Sequence, residues 1–307
     1  MGSNIPMVSL SSSNVNIPLV GLGTAVWPFP GPEAIKEAVL NAIELGYRHF
    51  DSAAAYYSEK PLGDAIAGAL SRGLINSRGE LFITSKLWCC DAHYDRVLPG
   101  LQLSLRNLGL EYLDLYLIHW PVSSKEPGEY SFPIKEGNLV PMDFKSTWEA
   151  MEECQKLGLT KSIGVSNFSC KKLSDLLLEA KIPPAINQDV VLEGGNEPAL
   201  ATAEAEGLLR IKGHSCHCLL SSGAKGTTWG GSHVMECEAL KQIAEARGKT
   251  VAQVALRWVY EQGVIMVVKS FNKERMKENL EIFDWELTQE ESKKINEIPQ
   301  HKGLPGR

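Results

Sequence analysis

The chain has 307 residues, 44% hydrophobic and 22% charged, an ordinary globular composition that excludes fibrous and low-complexity classes. Its formal net charge of -6 argues against nucleic acid as the main partner, because a phosphate backbone calls for a basic footprint. There is no run of eighteen apolar residues to span a membrane and no basic-then-apolar leader. The seven cysteines are scattered and odd in number, which fits reduced thiols better than a disulfide framework. The expectation is a cytoplasmic protein that forms one domain over 1–307. It is expected to be a monomer, since no heptad stripe or long hydrophobic edge calls for a partner.

Taken in order, Met7–Leu10 and Asn16–Leu19 flank a Ser/Asn turn and predict a hairpin. Val20-Gly21-Leu22-Gly23-Thr24 is a short strand. Lacking a third glycine and an immediate helix, it is not a dinucleotide-binding GxGxxG. Its glycines suit a close approach of backbone to a ligand, or a tight turn. Helical spacing then runs over Pro32–Leu45, Lys60–Arg72, Tyr94–Leu108, Lys145–Leu157, Lys171–Ala180, Val234–Arg247, Val251–Gln262 and Lys273–Phe283. Between these helices, strands fall at Gly46–Asp51, Leu81–Leu87, Leu113–His119, Lys161–Asn167, Ala185–Gln188 and Ile265–Lys269, with a long loop from His119 to about Pro141.

Mostly apolar strands separated by helices pair in parallel beneath an outer helical layer. An open doubly wound sheet and a closed barrel both satisfy that pattern, and the polar residues decide between them. Asp51, Lys86, His119, Ser166, Asn167, Gln188 and Lys269 each sit at or just past the C-terminal end of a strand. A closed barrel gathers those ends into one mouth, where such folds place their chemistry. The sequence therefore predicts a (β/α)8 TIM barrel with an N-terminal β-hairpin.

Four of these mouth groups suit one reaction. Asp51 ends a strand, and Tyr56 follows in a loop whose Ala53, Ala54 and Ala55 are too small to separate them. A free phenol titrates near ~10. A neighbouring Lys86 ammonium is expected to lower that value, with Asp51 holding the lysine in place. His119 can orient a carbonyl oxygen opposite. The set suits protonation of a carbonyl oxygen while hydride arrives at the carbon, and it needs no metal. Each residue alone has a plainer reading: Tyr56 as packing, Lys86 as a solvated lysine, His119 as a partner of backbone. Hydride requires a cofactor, because no side chain supplies it. Lys269-Ser270-Phe271-Asn272, with Arg275 and Asn279, gathers two cations and several donors at the last strand–helix junction, a suitable phosphate site. The two cations favour a 2′-phosphorylated dinucleotide, although Lys273, Arg275 and Lys277 also read as a solvated face.

The stretches G-Y-R-H-F-D-S-A-A-A-Y, L-F-I-T-S-K-L-W, L-D-L-Y-L-I-H-W-P, I-G-V-S-N-F and V-V-K-S-F-N-K-E-R-M-K-E-N resemble the aldo-keto reductase superfamily. The nearest group is the plant NADPH-dependent reductases of the codeinone, methylecgonone and chalcone reductase and deoxymugineic acid synthase kind. The resemblance covers Met7 to Gln188 and Gly223 to about Gly303. It implies a (β/α)8 barrel, NADPH, a small-molecule carbonyl substrate and a catalytic tetrad of Asp51, Tyr56, Lys86 and His119. It further implies that Ser166, Asn167 and Gln188 hold the nicotinamide carboxamide, with Gly23, Thr24 and Asp51 beside the cofactor. Lys269, Ser270, Arg275, Glu278 and Asn279 would hold the adenosine 2′-phosphate end. Trp27, Trp88, His119 and Trp120 would line the substrate pocket.

Between Gln188 and Gly223 the resemblance breaks. His214, Cys216, His217 and Cys218 invite a metal reading, but their spacing matches no usual zinc pattern, and no metal is expected. A better account is a compensated frameshift. Plausible codons for Gly195–Ser222, read one nucleotide later, yield E-M-N-P-L-W-Q-Q-Q-K-L-R-D-F-C-E-S-K-G-I-H-V-T-A-Y-S-P-L, the family's continuation. As it stands, the region at about 189–222 is expected to lose the apolar pattern of the seventh barrel strand, and with it the tyrosine that stacks on nicotinamide in the family. The chain also stops at Arg307, where the family usually runs on through a substrate-covering loop. The alternative to an NADPH-dependent reductase is therefore a non-catalytic barrel that binds cofactor weakly. Transcript sequencing across 189–222 is expected to reveal the shifted frame; a transcript encoding these residues as they stand, with no shifted counterpart, refutes the frameshift.

Overall fold

The computed structural model describes residues 5–10, 13, 15–26, 28–126, 128, 130, 137–191, 217–222 and 233–298. Strands β1 (Met7–Leu10) and β2 (Val15–Pro18) pair antiparallel. The alternating units that follow are β3 (Val20–Gly23), α1 (Pro32–Leu45), β4 (His49–Asp51), α2 (Glu59–Ser71), β5 (Phe82–Leu87), α3 (Tyr94–Leu108) and β6 (Leu113–Ile118). A second small hairpin, β7 (Val122–Ser124) with β8 (Leu139–Pro141), precedes α4 (Phe144–Lys156), β9 (Thr160–Ser166), α5 (Cys170–Glu179), β10 (Ile186–Val191) and β11 (His217–Ser222). The last described elements are α6 (His233–Glu236), α7 (Glu238–Arg247), α8 (Val251–Glu261), β12 (Ile265–Val268), α9 (Lys273–Glu278) and α10 (Gln289–Asn296).

Eight strands close a barrel in the order β10-β11-β12-β3-β4-β5-β6-β9, with every neighbouring pair parallel. Every residue of β5 and β6 is buried, as expected of strands covered on both faces. The first hairpin seals one end: Leu10 and Ile17 pack with Phe82, Ile186 and Ile265, each the first residue of its strand. The opposite, C-terminal end of the barrel is left to the polar residues.

The glycines of β3 make room for side chains of the neighbouring strands. A Cβ at Gly21 would stand 2.4 Å from the His49 ring, and one at Gly23 would stand 2.9 Å from Val267. They are small because neighbouring strands fill that space. Buried at that position, the His49 imidazole has its pKa pushed down to about 4, chiefly by desolvation, so it packs as a neutral ring.

Four expectations are corrected. The seventh barrel position is occupied: all six residues of β11 pair with Ile186–Val191, and Leu219, Leu220 and Ser221 pair with Ile265, Met266 and Val267. A gap there would leave two edges of unpaired backbone groups inside a closed sheet, and pairing them outweighs an imperfect apolar pattern. The long loop after His119 contains the hairpin of β7 and β8. The helix expected over Val234–Arg247 is two helices, because Cys237 is extended. The last expected helix ends at Glu278 rather than Phe283. Arg257 Nη1 donates to Ile282 O at 2.9 Å and Gln253 Nε2 to Glu278 O at 3.1 Å, so α8 takes carbonyls at that end. The remaining boundaries agree to within one or two residues, except that β4 begins three residues later than expected, at His49, and β10 runs three residues past Gln188.

One carboxylate anchors the first turn of helix α10. Glu291 closes a capping box with Thr288 and accepts from Arg247 Nε at 2.9 Å and Nη2 at 2.6 Å. Arg247 first, then the Thr288 backbone and hydroxyl, draw the Glu291 pKa from 4.5 down to about 2. A depressed carboxylate stabilises the fold above its unfolded value and loses that contribution as pH falls through its folded one. Glu291→Gln is therefore expected to cost about 1–2 kcal/mol at neutral pH. The gap in Tm from the unmodified chain should close between pH 4.5 and about 2, as thermal melts across that range would show.

Candidate active site

Each strand end places one functional group at the mouth. Asp51 ends β4, Lys86 is the fifth residue of β5, His119 follows β6, Ser166 ends β9, and Gln188 lies within β10. Lys86 Nζ donates to Asp51 Oδ1 at 2.6 Å and to Ser52 O at 3.0 Å, and both side chains of the pair are almost wholly buried. Tyr56 ends a single 3-10 turn, Ala54–Tyr56, and the left-handed Tyr57 (φ 55°) turns the chain away. That turn carries the Tyr56 ring to 4.8 Å from Lys86 Nζ. It also places the Tyr56 hydroxyl 3.2 Å from His119 Nε2, with the rings edge to face at 5.3 Å.

Burial and these contacts set three protonation states. Desolvation works against the Lys86 ammonium, but Asp51 and Tyr56 together outweigh it and raise the pKa. Desolvation dominates at Tyr56 and raises its pKa even though Lys86 pulls the other way. The expected depressed phenol is thus corrected, because burial of the phenolate outweighs attraction to the ammonium. His119 is pushed well below its ordinary value, first by burial and then by Lys86. At neutral pH the three are an ammonium, a protonated phenol and a neutral imidazole.

Gln188 is held on one side only. Its Nε2 donates to Asp51 Oδ2 at 3.2 Å, while its Oε1 is buried without a hydrogen-bond partner. Ser166 Oγ and the Asn167 backbone N–H both donate to Gln188 O, at 2.8 and 3.0 Å. Asn167 has φ 62°, a conformation uncommon outside glycine. Its Nδ2 holds that strain in place by donating to His119 O at 2.9 Å and Ser166 Oγ at 3.0 Å. An orphaned, buried amide oxygen beside a carboxylate fits an incoming amide N–H2, which is the chemistry of a nicotinamide carboxamide. Gly23 and Thr24 support the same strand end. Gly23 pairs in register with Asp51, and Thr24 donates to Asp51 O from its N–H at 3.0 Å and its hydroxyl at 2.9 Å.

The aromatic residues sort differently from one another. Trp88 is 2% exposed and meets His119 edge to face at 5.0 Å, so it is a wall behind the imidazole rather than open surface. Trp120 is half-buried and stacks on His119 at 6.4 Å. Trp27 lies outside the described residues, as do His214 and Cys216. Among the described residues no cluster of His, Cys, Asp and Glu is arranged for a metal.

At the last strand–helix junction the solvated-face reading divides. Lys273 pairs with Glu44 at 2.7 Å and Lys277 with Glu281 at 3.8 Å, whereas Arg275 is exposed with no ion-pair partner among the described residues. Asn272 caps α9 by accepting from Arg275 N at 3.0 Å, and Ser270 Oγ accepts from Asn272 N at 3.2 Å. Asn279 is buried, beside the Tyr47 hydroxyl that donates to Met276 O at 2.9 Å; Glu278 is half-buried. Sequence reasoning missed Ser52 and Ser58, whose hydroxyls join at 2.8 Å and tie the Asp51 loop to α2. It also missed Asp91 and Tyr130, which lie beside Trp88. Ser52 stands within the motif that carries Asp51, whereas Ser58, Asp91 and Tyr130 belong to no motif and only the fold brings them near the mouth.

A family model described as Aldo/keto reductase family matches residues 19–191 and 203–300, leaving out 192–202 from the segment where the resemblance breaks. The chain is 56% identical over 303 residues to the (1S)-1,7-diacetoxy-luvungin A aldo-keto reductase of Citrus sinensis, covering 99% of this chain and 92% of that protein. It is 57% identical to NADPH-dependent codeinone reductase 1-4 of Papaver somniferum, over 98% and 92% of the two chains. Among solved structures, a Bombyx mori aldo-keto reductase in complex with NADP superposes with a TM-score of 0.82 at 35% identity, covering 95% of this chain and 92% of its own.

Proposed function

The chain belongs to the aldo/keto reductase family, and from that premise we propose that it uses NADPH to reduce a ketone or aldehyde to the alcohol. The observation that carries this reading is the Tyr56 hydroxyl, 3.2 Å from His119 Nε2 and beside the buried Lys86–Asp51 pair. Bound NADPH supplies the hydride, which no side chain can. Tyr56 keeps its proton until a carbonyl oxygen gains negative charge, then donates it. The Lys86 ammonium stabilises the phenolate that remains, and Asp51 holds Lys86 in range. Neutral His119 orients the carbonyl oxygen, backed by Trp88, with Trp120 beside the substrate.

Ser166, Asn167 and Gln188 hold the carboxamide, with Gly23 and Thr24 fixing Asp51 beneath it. Lys269, Ser270, Arg275, Glu278 and Asn279 hold the phosphorylated adenosine end, for which the Arg275 guanidinium, exposed and without an ion-pair partner among the described residues, is suited. The protein acts as one cytoplasmic, monomeric domain on a small molecule, without a nucleic-acid partner. No helix among the described residues is long and apolar enough to cross a membrane.

Closure of the barrel through β11 favours a reductase over a non-catalytic scaffold, although one weakness persists. Leu219 stands opposite Gln188 in register, and the shifted reading frame places the family's stacking tyrosine at this position. The tyrosine that stacks on nicotinamide in the family is thus absent from this sequence.

Two outcomes follow. Tyr56→Phe should lower kcat for a simple aldehyde at least a hundredfold while leaving NADPH affinity unchanged; retained turnover would remove Tyr56 as the proton donor. Leu219→Tyr should tighten NADPH about two- to tenfold, the worth of one aromatic stacking contact. Fluorescence titration measures it, and unaltered affinity would dismiss the missing-face account.

A further inference from the structure

Helix α9 is too short to hold its own place. It has six residues, Lys273–Glu278, below the ~12–15 at which even a good isolated helix is marginal in water. Yet it carries Arg275 and Glu278 and is followed by Asn279, all three proposed above for the phosphorylated adenosine end. Side chains from distant parts of the chain fix its position. From the α1–β4 corner, the Tyr47 hydroxyl donates to Met276 O at 2.9 Å, and Glu44 pairs with Lys273 Nζ at 2.7 Å. From α8, Gln253 Nε2 donates to Glu278 O at 3.1 Å and Arg257 Nη1 to Ile282 O at 2.9 Å.

These anchors meet the carbonyl edge of the helix. Met276 O is among the last four helical carbonyls, which have no partner within a regular helix. The N–H groups that follow go to other carbonyls, Asn279 N to Arg275 O and Leu280 N to Lys277 O, each at 2.9 Å. The phenol supplies what Met276 O lacks. Tyr47 is wholly buried, and burial raises its pKa, so the hydroxyl remains a donor at neutral pH. Gln253, 4% exposed, is held in turn, because its Oε1 accepts from Thr250 N at 2.9 Å in the capping box that opens α8. Arg275 stands in contrast: it is exposed, without an ion-pair partner among the described residues, so the backbone of α9 sets where its guanidinium can reach. We infer that Tyr47 and Gln253 are positioning residues for the cofactor's 2′-phosphate. By gripping the carbonyl edge of α9 they set the reach of Arg275, and with it the preference for NADPH over NADH. This rests on the reading of Arg275 and its neighbours as the adenosine end.

Tyr47→Phe removes one hydroxyl and keeps the ring. Gln253→Glu keeps the capping-box acceptor and loses the donor to Glu278 O. Fluorescence titration of either variant should show the Kd for NADPH raised about two- to tenfold, the worth of one hydrogen bond, with the Kd for NADH unchanged. Turnover of a simple aldehyde at saturating NADPH should keep its kcat. Arg275→Ala should weaken NADPH by itself, and adding Tyr47→Phe to it should bring no further loss, because the hydroxyl acts through that guanidinium. Gln253→Glu carries the same test if Tyr47→Phe fails to fold. Equal weakening of NADPH and NADH, additive losses in the double variant, or no change in either single variant overturns the inference while the adenosine reading stands. An unchanged Kd for NADPH in Arg275→Ala overturns both.

Discussion

The site depends on one buried ion pair. Lys86 and Asp51 meet at 2.6 Å with almost no exposed surface, and each would be costly to bury without the other. Removing one partner of such a pair typically costs ~3–5 kcal/mol, so the barrel cannot hold either charge alone. The pair comes from adjacent strands, β4 and β5, whose register places Asp51 opposite Thr84, two residues before Lys86. The carboxylate's second oxygen accepts from Gln188, across the barrel. One carboxylate thus ties the lysine beneath the phenol to Gln188 on β10.

Around this pair, the mouth uses burial to set charge. The same desolvation that keeps Tyr56 protonated and His119 neutral is overcome at Lys86 by its anionic partner. A cation, a neutral acid and a neutral hydrogen-bonding ring therefore coexist within a few ångströms. The closed end of the barrel shows a different economy of space. There Gly21 yields room to the neutral His49 ring, and the first hairpin seals the opening. Stability is concentrated at one end of the strands and chemistry at the other, a division common to this architecture.

Much of the fold was legible in the sequence because parallel strands buried on both faces appear as apolar runs, and their helices repeat at the α-period. The helix Pro32–Leu45 and the helix Tyr94–Leu108 carry that signal without interruption, and their bounds agree with the structure. Where a tertiary contact sets the boundary, the signal fails. The helix after Asn272 stops early under side chains from α8, and Cys237 divides a stretch that periodicity alone would join. His217–Ser222 forms a strand because both barrel neighbours offer unpaired backbone, and a weak apolar pattern carries little trace of that.

By itself the sequence determined the repeating strand–helix order and the polar residue at each strand end, and so which groups meet at the mouth. These follow from local chemistry and from the rule that a barrel gathers its strand ends. Only the tertiary structure decided the protonation of Tyr56, the orphaned oxygen of Gln188 and the closing of the barrel at β11. It alone also brought Tyr47 and Gln253 onto the carbonyls of α9. Each of these depends on desolvation or on contacts between distant segments, and the spacing of residues along a chain records neither.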